Sequence, residues 1–368
     1  MKVLHIYKTY MPDSIGGVET AIQELTQGLH LYGINSEVLT VSTTTKNNIN
    51  DNVKITRFKT SFNVASCPFS IEFMTRFQQC VTSADIIHYH FPWPFAEMVH
   101  LLNRVKKPSL VTYHSDIVRQ RLLKPFYRPL MNAFLASTNC IVTTSKNYLD
   151  SSEDLKPFRD KCIVIPIGIS DDTQQAENLK TNEWQHKIPD DFILYIGVTR
   201  YYKGLHLLIE AAEYTDVNIV IAGSGPLDQE LRELVTQRKL NNVYFLGKIS
   251  ATDKAALLSL ASAVILPSHL RSEAFGITLV EGLMHGKPLI STEIGTGTSY
   301  INQDKVTGLV VPGNNVKQLL KAINRLHYNK KLLHEYGTAA RKRYIQNFTQ
   351  EKYSERYANV YHRILAER

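Results

Sequence analysis

Short runs of apolar, often β-branched residues recur along the first half of the chain, and each run ends at a glycine or a polar residue. Runs of this kind, separated by helical stretches, are typical of parallel strands that helices cover on both faces. The pattern therefore predicts an α/β fold built on a doubly wound parallel sheet. The runs are Val3–Tyr7, Ser36–Val41, Val53–Phe58, Asp85–His90, Pro108–His114, Asn139–Ser145 and Ile163–Ile169.

A second set of such runs follows a polar stretch, residues 170–187, that has no helical or strand period. A chain of 368 residues is also too long for one ordinary core. We therefore expect a Rossmann-like domain at residues 1–169, a linker at 170–187, and a second Rossmann-like domain at 188–345 that faces the first across a cleft. A C-terminal helix over 346–368 is predicted to cross back to the first domain. The second set of runs comprises Phe192–Gly197, Val217–Gly223, Val243–Gly247, Ala263–Pro267, Pro288–Thr292 and Gly308–Val311.

Composition bears on the cellular compartment of the protein and on whether it has metal or disulfide sites. Hydrophobic residues make up 43% of the chain, yet no apolar run approaches the ~20 residues of a membrane-spanning helix, or forms the core of a signal peptide. The four cysteines are widely spaced and form no C-x-x-C pair, which argues against a zinc site and a disulfide framework. These observations predict a cytoplasmic protein without a metal site.

Positive charge is concentrated in two stretches of a chain whose formal net charge is +8. Residues 100–128 contain seven Lys or Arg against one acid, and residues 321–368 contain eleven against four. Such clusters attract phosphates, although a solvated charged face explains them equally well. Apolar residues from Ile117 to Met131 interleave with the first cluster, so we expect this surface to lie on anionic lipid. Neither cluster carries a nucleic-acid-binding motif, and no nucleic-acid partner is expected.

Glycine-containing turns follow predicted strands in both halves. Gly16 and Gly17 separate the first strand from the first helix, and Gly223 and Gly225 follow a strand of the second half. Such turns let the backbone approach a ligand, and the N–H groups at the start of the next helix favour an anion. Neither turn has the G-x-G-x-x-G dinucleotide pattern, and a tight turn without a ligand is the alternative.

Two cations, Arg200 and Lys203, come shortly after the strand that ends at Gly197. A guanidinium and an ammonium three positions apart at the mouth of a parallel sheet can both bind the oxygens of one diphosphate. Two solvated loop cations are the alternative interpretation.

The most specific pattern is the stretch from Glu273 to Glu281, which reads E-x-F-G-x4-E. Glu273 lies in a loop after a predicted strand, and a helix that begins near Phe275 would present its free amides beside both carboxylates. Carboxylates accept hydrogen bonds from sugar hydroxyls, so the pattern predicts a sugar site. A chance capping arrangement is the alternative.

In combination these motifs resemble those of the family-4 retaining glycosyltransferases, whose two-domain architecture is called GT-B. The resemblance covers nearly the whole chain and extends to Val111–Ser115 and Gly308–Pro312. It implies that Glu281 binds the ribose and that Gly247 and Lys248 contact the base. The residues that it assigns to nucleotide-sugar binding are Gly16, Gly17, Gly223, Gly225, Gly247, Lys248, Phe275, Gly276, Ile277 and Glu281.

The resemblance also implies four catalytic residues. His114 would line the reaction centre near the donor sugar, and Glu273 would bind the sugar hydroxyls. Arg200 and Lys203 would hold the diphosphate. One position departs from the family: Val198 stands where many members have arginine, so Arg200 would take over that role from two places later.

The family implies that the new bond keeps the anomeric configuration of the donor. No nucleophilic carboxylate is evident at the reaction centre, so we expect a front-face displacement in which the leaving diphosphate accepts the acceptor proton. Cationic side chains and helix N-termini can stabilise the leaving group, and no D-x-D motif follows a strand. Neither a metal nor another cofactor is therefore expected.

Two segments, Tyr201–Leu205 and Ser291–Tyr300, resemble members that build bacterial surface polysaccharides. This implies transfer of mannose from GDP-mannose to a lipid-diphosphate-linked saccharide in lipopolysaccharide O-antigen synthesis, at the inner face of the plasma membrane. UDP-glucose, UDP-N-acetylglucosamine and dTDP-rhamnose are alternative donors. A non-catalytic sugar-nucleotide-binding module, and a phosphorylase or epimerase of the same fold, are alternative classes.

Overall fold

The computed structural model divides the chain into two compact units. One comprises Met1–Ile169 together with Gln350–Arg368, and the other Ser170–Thr349. Each unit contains a mainly parallel sheet with helices between successive strands. The predicted α/β fold with two parallel-sheet units is confirmed. The residues that the structure describes are 1–43, 48–50, 53–117, 124–174 and 181–367.

A largely parallel sheet forms the core of the first unit. Its strands are β1 (Lys2–Ile6), β2 (Asn35–Ser42), β3 (Asn48–Asn50), β4 (Val53–Lys59), β5 (Phe62–Val64), β6 (Cys67–Phe69), β7 (Ile86–Phe91), β8 (Ser109–Tyr113), β9 (Cys140–Thr143) and β10 (Cys162–Val164). Eight of them pair in the order β10-β9-β8-β7-β1-β2-β4-β3, and β3 is antiparallel to β4. β5 and β6 form a separate antiparallel pair. Because β1, β7 and β8 are parallel neighbours, the residues that follow them meet at one edge of the sheet.

Serine caps begin two of the helices that cover this sheet. Ser70 Oγ accepts a hydrogen bond from the Phe73 N–H, and Ser145 Oγ accepts one from the Tyr148 N–H, each at 3.1 Å. These bonds satisfy amides that the first helical turn otherwise leaves unpaired. The helices are α1 (Gly17–Leu29), α2 (Ile71–Thr82), α3 (Pro94–Leu102), α4 (Lys124–Ser137) and α5 (Lys146–Ser151).

The sheet of the second unit is entirely parallel in its described strands. These are β11 (Phe192–Ile196), β12 (Asn218–Ala222), β13 (Val243–Gly247), β14 (Ala263–Leu266), β15 (Leu289–Glu293) and β16 (Gly308–Pro312). They pair in the order β13-β12-β11-β14-β15-β16, so the direction of winding reverses between β11 and β14. In doubly wound sheets, ligands bind outside the carboxyl ends of the strands at this switch point.

The helices of the second unit include one inside the predicted linker. They are α6 (Thr181–Gln185), α7 (Leu205–Ala212), α8 (Asp228–Gln237), α9 (Ala251–Leu260), α10 (Ile277–Met284), α11 (Gly297–Ile301), α12 (Val316–His327) and α13 (Lys330–Asn347). The linker prediction for 170–187 was therefore too broad, because Trp184 of α6 donates its indole N–H to Asp253 of α9 at 3.1 Å. Residues 175–180 of that stretch lie outside the described residues.

The C-terminal helix, α14 (Gln350–Ala366), belongs to the first unit. It begins at Gln350 rather than at residue 346, because residues 346–347 still belong to α13 and the buried Phe348 follows them. α14 packs against α1 at Gly28, where a Cβ would lie 3.0 Å from the Cβ of Ser354. Within the described ranges, α14 and all other helices are too short or too polar to cross a membrane.

Candidate active site

Two loops of the second unit meet at the switch point between β11 and β14. The loop after β11 contains a 3-10 turn at Tyr201–Lys203 and ends at Gly204, whose φ of 73° lies in the left-handed region that favours glycine. A Cβ at Gly204 would lie 3.1 Å from the carbonyl carbon of Pro267, in the loop after β14. Glycine therefore lets the loop that carries Lys203 touch the loop that carries Glu273.

Lys203 and Glu273 form a buried ion pair in these loops. The Lys203 ammonium donates to the Glu273 carboxylate, which also accepts a hydrogen bond from Ser268 Oγ at 3.3 Å. Only 13% of the Lys203 side chain and 10% of the Glu273 side chain are exposed. Burial alone would lower the pKa of Lys203, but attraction to Glu273, supported by Tyr202 and Tyr195, outweighs burial and raises this pKa. The structure thus brings together two predicted catalytic residues as a cation and an anion.

Arg200 lies in the same loop without joining this pair. Its side chain is exposed, and no ion pair or hydrogen bond connects that side chain to the rest of the described chain. The neighbouring Thr199 fixes the loop instead, because it is buried and donates its hydroxyl to Asp228 of α8. Val198, at the usual arginine position of the family, is 38% exposed. An exposed arginine can turn toward a diphosphate, and that role stays a prediction.

Glu281 lies on α10, where it is 8% exposed. Its carboxylate accepts a hydrogen bond from the ammonium of Lys254, on α9. Sequence reasoning missed Lys254, because this lysine lies 27 residues before Glu281 and on another helix. Glu281 would therefore meet a ligand as an oriented, paired carboxylate.

The amino end of α10 lies beside the carboxyl end of β11. The helix begins at Ile277 rather than near Phe275, because Gly276 has a left-handed φ of 97°. Thr278 Oγ1 donates to the carbonyl of Ile196, the last residue of β11, at 3.1 Å. The unpaired amides and partial positive charge of a first helical turn suit an anionic or hydroxyl-bearing ligand.

The predicted glycines of the second unit differ in how tightly they are packed. Gly223, with a φ of 124°, follows β12, and a Cβ there would lie 2.8 Å from the carbonyl carbon of Gly197. Gly225 approaches the same loop. By contrast, a Cβ at Gly247 would meet nothing within 4 Å, and the neighbouring Lys248 is exposed. Gly223 and Gly225 therefore allow two loops to approach closely. The space beside Gly247 is free, and Lys248 is exposed to solvent.

In the first unit, Gly16 lies directly before α1, and Gly17 is the first residue of that helix. Gly16 precedes α1 with an extended backbone, and a Cβ there would lie 2.8 Å from the Glu19 carboxylate. Glu19 is 6% exposed and accepts a hydrogen bond from the Thr9 hydroxyl at 2.8 Å. Gly16 therefore lies against the buried carboxylate of Glu19, a residue to which sequence reasoning assigned no role.

His114 directly follows β8, and its imidazole is buried. Its Nε2 forms a hydrogen bond with Nδ1 of His90 at 3.0 Å, and its backbone N–H donates to the Phe91 carbonyl at 3.2 Å. Burial lowers the pKa of His114 to about 3, so the ring is neutral near pH 7. A neutral imidazole carries one N–H donor and one acceptor nitrogen.

Three further histidines, which sequence reasoning did not single out, continue from this point into the core. His5 pairs with His88 in the register of β1 and β7, and His90 lies two residues further on, so all three lie on one face. His90 Nε2 is 3.2 Å from His5 Nδ1, whereas His88 bonds to Tyr361 and Thr112, each at 2.7 Å. Two histidines separated by one residue in a predicted strand were the signal that could have found this face.

His5, His88 and His90 each place one nitrogen within 4.8 Å of the others, a spacing that a metal ion could use. Most of their nitrogens already form hydrogen bonds, which a metal would have to displace. In the part of the chain that the structure describes, only Nε2 of His5 among these three rings lacks a partner. We interpret the group as a hydrogen-bond network, and the expectation that no metal is needed stays a prediction.

A surface cavity of about 840 Å³ in the second unit lies away from the predicted residues. Residues that precede β14 and β15, such as Ser262 and Pro288, line it together with residues of α13. It therefore lies near the amino ends of the strands, whereas Lys203 and Glu273 follow their carboxyl ends. We do not assign the sugar site to this cavity.

Two doubly wound, parallel-sheet units define the fold class as GT-B, the two-domain fold of glycosyltransferases. Solved structures agree: sucrose-phosphate synthase from Thermosynechococcus elongatus aligns with a TM-score of 0.82 at 20% identity, covering 100% of both chains. A glycosyltransferase from Rickettsia africae aligns with a TM-score of 0.76 at 21% identity, covering 99% of this chain and 98% of that one. These likenesses establish the fold.

The chain belongs to the group 1 glycosyltransferases with a family-4 amino-terminal region. Residues 15–173 match the family described as Glycosyltransferase Family 4, and residues 177–343 match Glycosyl transferases group 1. The chain is 45% identical to O-antigen chain mannosyltransferase C of Escherichia coli over 367 residues, 99% of each chain. It is also 45% identical to D-rhamnosyltransferase WbpZ of Pseudomonas aeruginosa over 358 residues, 95% of this chain and 92% of the relative. The predicted family is confirmed.

Proposed function

We propose that this protein is a retaining mannosyltransferase that transfers mannose from GDP-mannose to a lipid-diphosphate-linked saccharide in O-antigen synthesis. The proposal is carried by the buried Lys203–Glu273 pair at the switch point of a chain 45% identical to an O-antigen mannosyltransferase. A nucleotide sugar offers a diphosphate and sugar hydroxyls on the two sides of the bond that breaks. Lys203 suits the first and Glu273 the second.

In the proposed reaction, the bond between sugar C1 and a diphosphate oxygen breaks, and a bond from C1 to the acceptor oxygen forms on the same face. The acceptor proton passes to an oxygen of the departing diphosphate. Lys203 and Arg200, with the amides at the start of α10, stabilise the charge that grows on this group. Glu273 holds the donor sugar, and His114 lines the reaction centre. This proposed step requires no metal ion and no further cofactor.

Position 6 of the sugar separates the two donors that the relatives suggest. Mannose has a hydroxyl on C6, and D-rhamnose has a hydrogen there instead. One relative is named for mannosyl transfer and the other for D-rhamnosyl transfer, at the same 45% identity. A site that hydrogen-bonds a hydroxyl rejects the analogue that lacks it by about 10⁴–10⁵-fold, whereas an apolar pocket discriminates by only about 10²-fold. The ratio of turnover with GDP-mannose and GDP-D-rhamnose therefore reports which kind of pocket is present.

We expect GDP and GDP-mannose to stabilise the protein, and UDP, dTDP and ADP sugars to leave its stability unchanged. A ligand at 100 times its Kd adds about 2.7 kcal/mol to the free energy of unfolding. Thermal shift of the full chain measures binding, and transfer of labelled mannose to a lipid-linked saccharide measures turnover. Stabilisation by a UDP or dTDP sugar alone would identify that sugar nucleotide as the donor in place of GDP-mannose. Stabilisation by none of them would refute the proposal of a nucleotide-sugar enzyme.

The same assays separate the other protein classes. A non-catalytic module would bind the nucleotide sugar without turnover, and Glu273→Ala would then change binding only. An epimerase would hydrolyse UDP-N-acetylglucosamine without an acceptor. A transferase instead loses mannosyl transfer in Glu273→Ala while it stays folded.

We further propose that the first unit binds an anionic membrane surface through α4. Phe126 is 86% exposed, and Arg128, two residues later in α4, is also exposed. Apolar side chains among cations suit the boundary between lipid headgroups and acyl chains. Met131, which the sequence placed on the same surface, is instead 1% exposed because it packs into the core. Residues 118–123 of the predicted surface lie outside the described residues.

Replacing Phe126 with serine is expected to weaken binding to acidic liposomes about 10–150-fold, because the transfer of a phenylalanine side chain from water contributes roughly 1.5–3 kcal/mol. Sedimentation with neutral and acidic liposomes at low and high salt measures it. Leu31→Ser is the matched control, since Leu31 is 73% exposed but lies after α1. Equal recovery of the protein in the soluble fraction with both liposomes at low salt would argue against membrane binding.

A further inference from the structure

A row of neutral imidazoles leads from the core of the first unit to His114. His114 Nε2 bonds to His90 Nδ1 at 3.0 Å, and His90 Nε2 bonds to His5 Nδ1 at 3.2 Å. Burial lowers the pKa of His5 and His114 to about 3 and that of His90 well below its ordinary value. Each ring therefore carries one proton and one lone pair, so both hydrogen bonds must run in the same direction along the row.

The unpaired nitrogen at the inner end selects that direction. His5 Nε2 is buried and has no partner among the described residues. If the bonds ran from His114 inward, His5 Nε2 would carry a buried N–H without an acceptor. If the bonds run outward, His5 Nε2 carries only a lone pair, and no N–H at this inner end is left without an acceptor. Buried N–H groups without an acceptor are rarer than acceptors without a donor, so the outward direction is favoured.

The outward direction determines the proton position on His114. Its Nε2 then accepts a hydrogen bond from His90, so its proton resides on Nδ1. Nδ1 of His114 has no hydrogen bond to any other described residue, so this N–H can bind an oxygen of a sugar. The second nitrogen of a histidine commonly sets the tautomer of the first in this way.

Stacking holds the same rings in place. The rings of His90 and His114 are stacked at 5.3 Å with an interplanar angle of 21°, and His88 stacks on His90 at 4.2 Å. His88 is bound in turn by Tyr361 of α14 and by Thr112 of β8, each at 2.7 Å. Rotation of the His114 ring would break its bond to His90.

We propose that His90 and His5 are positioning residues that orient the His114 ring and keep its proton on Nδ1, ready to donate to the donor sugar. The functional part of this inference rests on the proposed function, because His114 acts there at the reaction centre. The tautomer itself is a property of the resting protein. It can be measured without any sugar nucleotide.

The test compares two substitutions at position 90, each of which keeps one of the two hydrogen bonds that His90 forms. In His90→Asn, the amide nitrogen occupies the place of Nδ1 and can still donate to His114 Nε2. In His90→Gln, the amide occupies the place of Nε2, which keeps the bond to His5 and loses the bond to His114. Both variants change a buried ring to a primary amide, so they are matched in chemistry and burial.

Nitrogen-15 NMR of histidine-labelled protein reads the tautomer, with the His114 signals assigned by their loss in His114→Gln. We expect Nδ1 to be protonated in the unaltered protein and in His90→Asn, and a mixture of tautomers in His90→Gln. For mannosyl transfer, kcat/KM should fall about 3–10-fold in His90→Gln relative to His90→Asn, the effect of one lost neutral hydrogen bond. His88→Asn is the structural control, which should lower the melting temperature without changing the tautomer of His114.

A proton on Nε2 of His114 in the unaltered protein, or the same tautomer in His90→Asn and His90→Gln, would overturn the inference. A stoichiometric metal bound by these histidines would also overturn it, because the metal would replace the hydrogen bonds of the row. Failure of every donor to support transfer would overturn the proposed function instead. It would leave the tautomer result standing, since the NMR experiment needs no turnover.

Discussion

Replacing Lys203 with methionine is expected to lower kcat for mannosyl transfer by about 10²–10³-fold, the usual effect of removing one group that stabilises transition-state charge. In the proposed reaction, Lys203 stabilises the diphosphate as it departs. Lys203→Arg keeps the positive charge and should retain a larger share of the activity. Steady-state kinetics with GDP-mannose and a lipid-linked acceptor measures both variants.

The same substitution leaves Glu273 buried without its partner, so stability must be measured alongside activity. Breaking a buried ion pair typically costs about 3–5 kcal/mol. The double variant Lys203→Met/Glu273→Gln removes both charges and should recover part of this stability without recovering transfer. Lys330→Met, which breaks an exposed pair with Asp191, is the control, with an effect below about 1 kcal/mol. A folded Lys203→Met protein with unchanged kcat would exclude Lys203 from the reaction.

Replacing Gly223 with alanine is expected to lower the free energy of unfolding by about 2–6 kcal/mol, since strain and overpacking each cost about 1–3 kcal/mol. The φ of 124° is in the region that favours glycine, and the added Cβ would collide with the backbone of Gly197. Relief of the collision would push apart the loops after β11 and β12. Binding of GDP-mannose should therefore weaken together with stability, as denaturant unfolding and thermal shift with the donor can measure.

Gly247→Ala is the matched comparison for this prediction. Gly247 also has a positive φ, of 69°, but its Cβ would enter open space, so only the backbone cost of about 1–2 kcal/mol applies. Equal destabilisation by the two substitutions would show that contact between the loops after β11 and β12 contributes nothing to stability.

The fold could be predicted from the sequence because each strand is indicated by its own short apolar run. The run Pro108–His114, for example, became β8 with its ends moved by one residue, and His114 was correctly placed at the end of a strand. The glycine motifs were also informative, since Gly223 and Gly276 both have positive φ values that other residues rarely adopt.

The partners of the site residues could not be predicted, because they depend on how distant segments pack. Lys203 and Glu273 were found separately, but their pairing spans 70 residues of sequence. Lys254 belongs to an ordinary capped helix and carries no motif that would mark it as a partner of Glu281. The direction in which His90 points became known only from the register of β1, β7 and β8.

The first unit is completed by a segment that the ribosome makes only after the second unit. Residues 1–169 form its sheet, but His88 and Thr112 in that sheet form hydrogen bonds with Tyr361 and Tyr357 of α14, respectively. The whole of residues 170–349 is synthesised between these two parts. Amino-terminal domains usually fold first during translation. Here α14 cannot pack on the first sheet until the second unit has been made, so the nascent chain leaves His88 and Thr112 without these partners while residues 170–349 are synthesised.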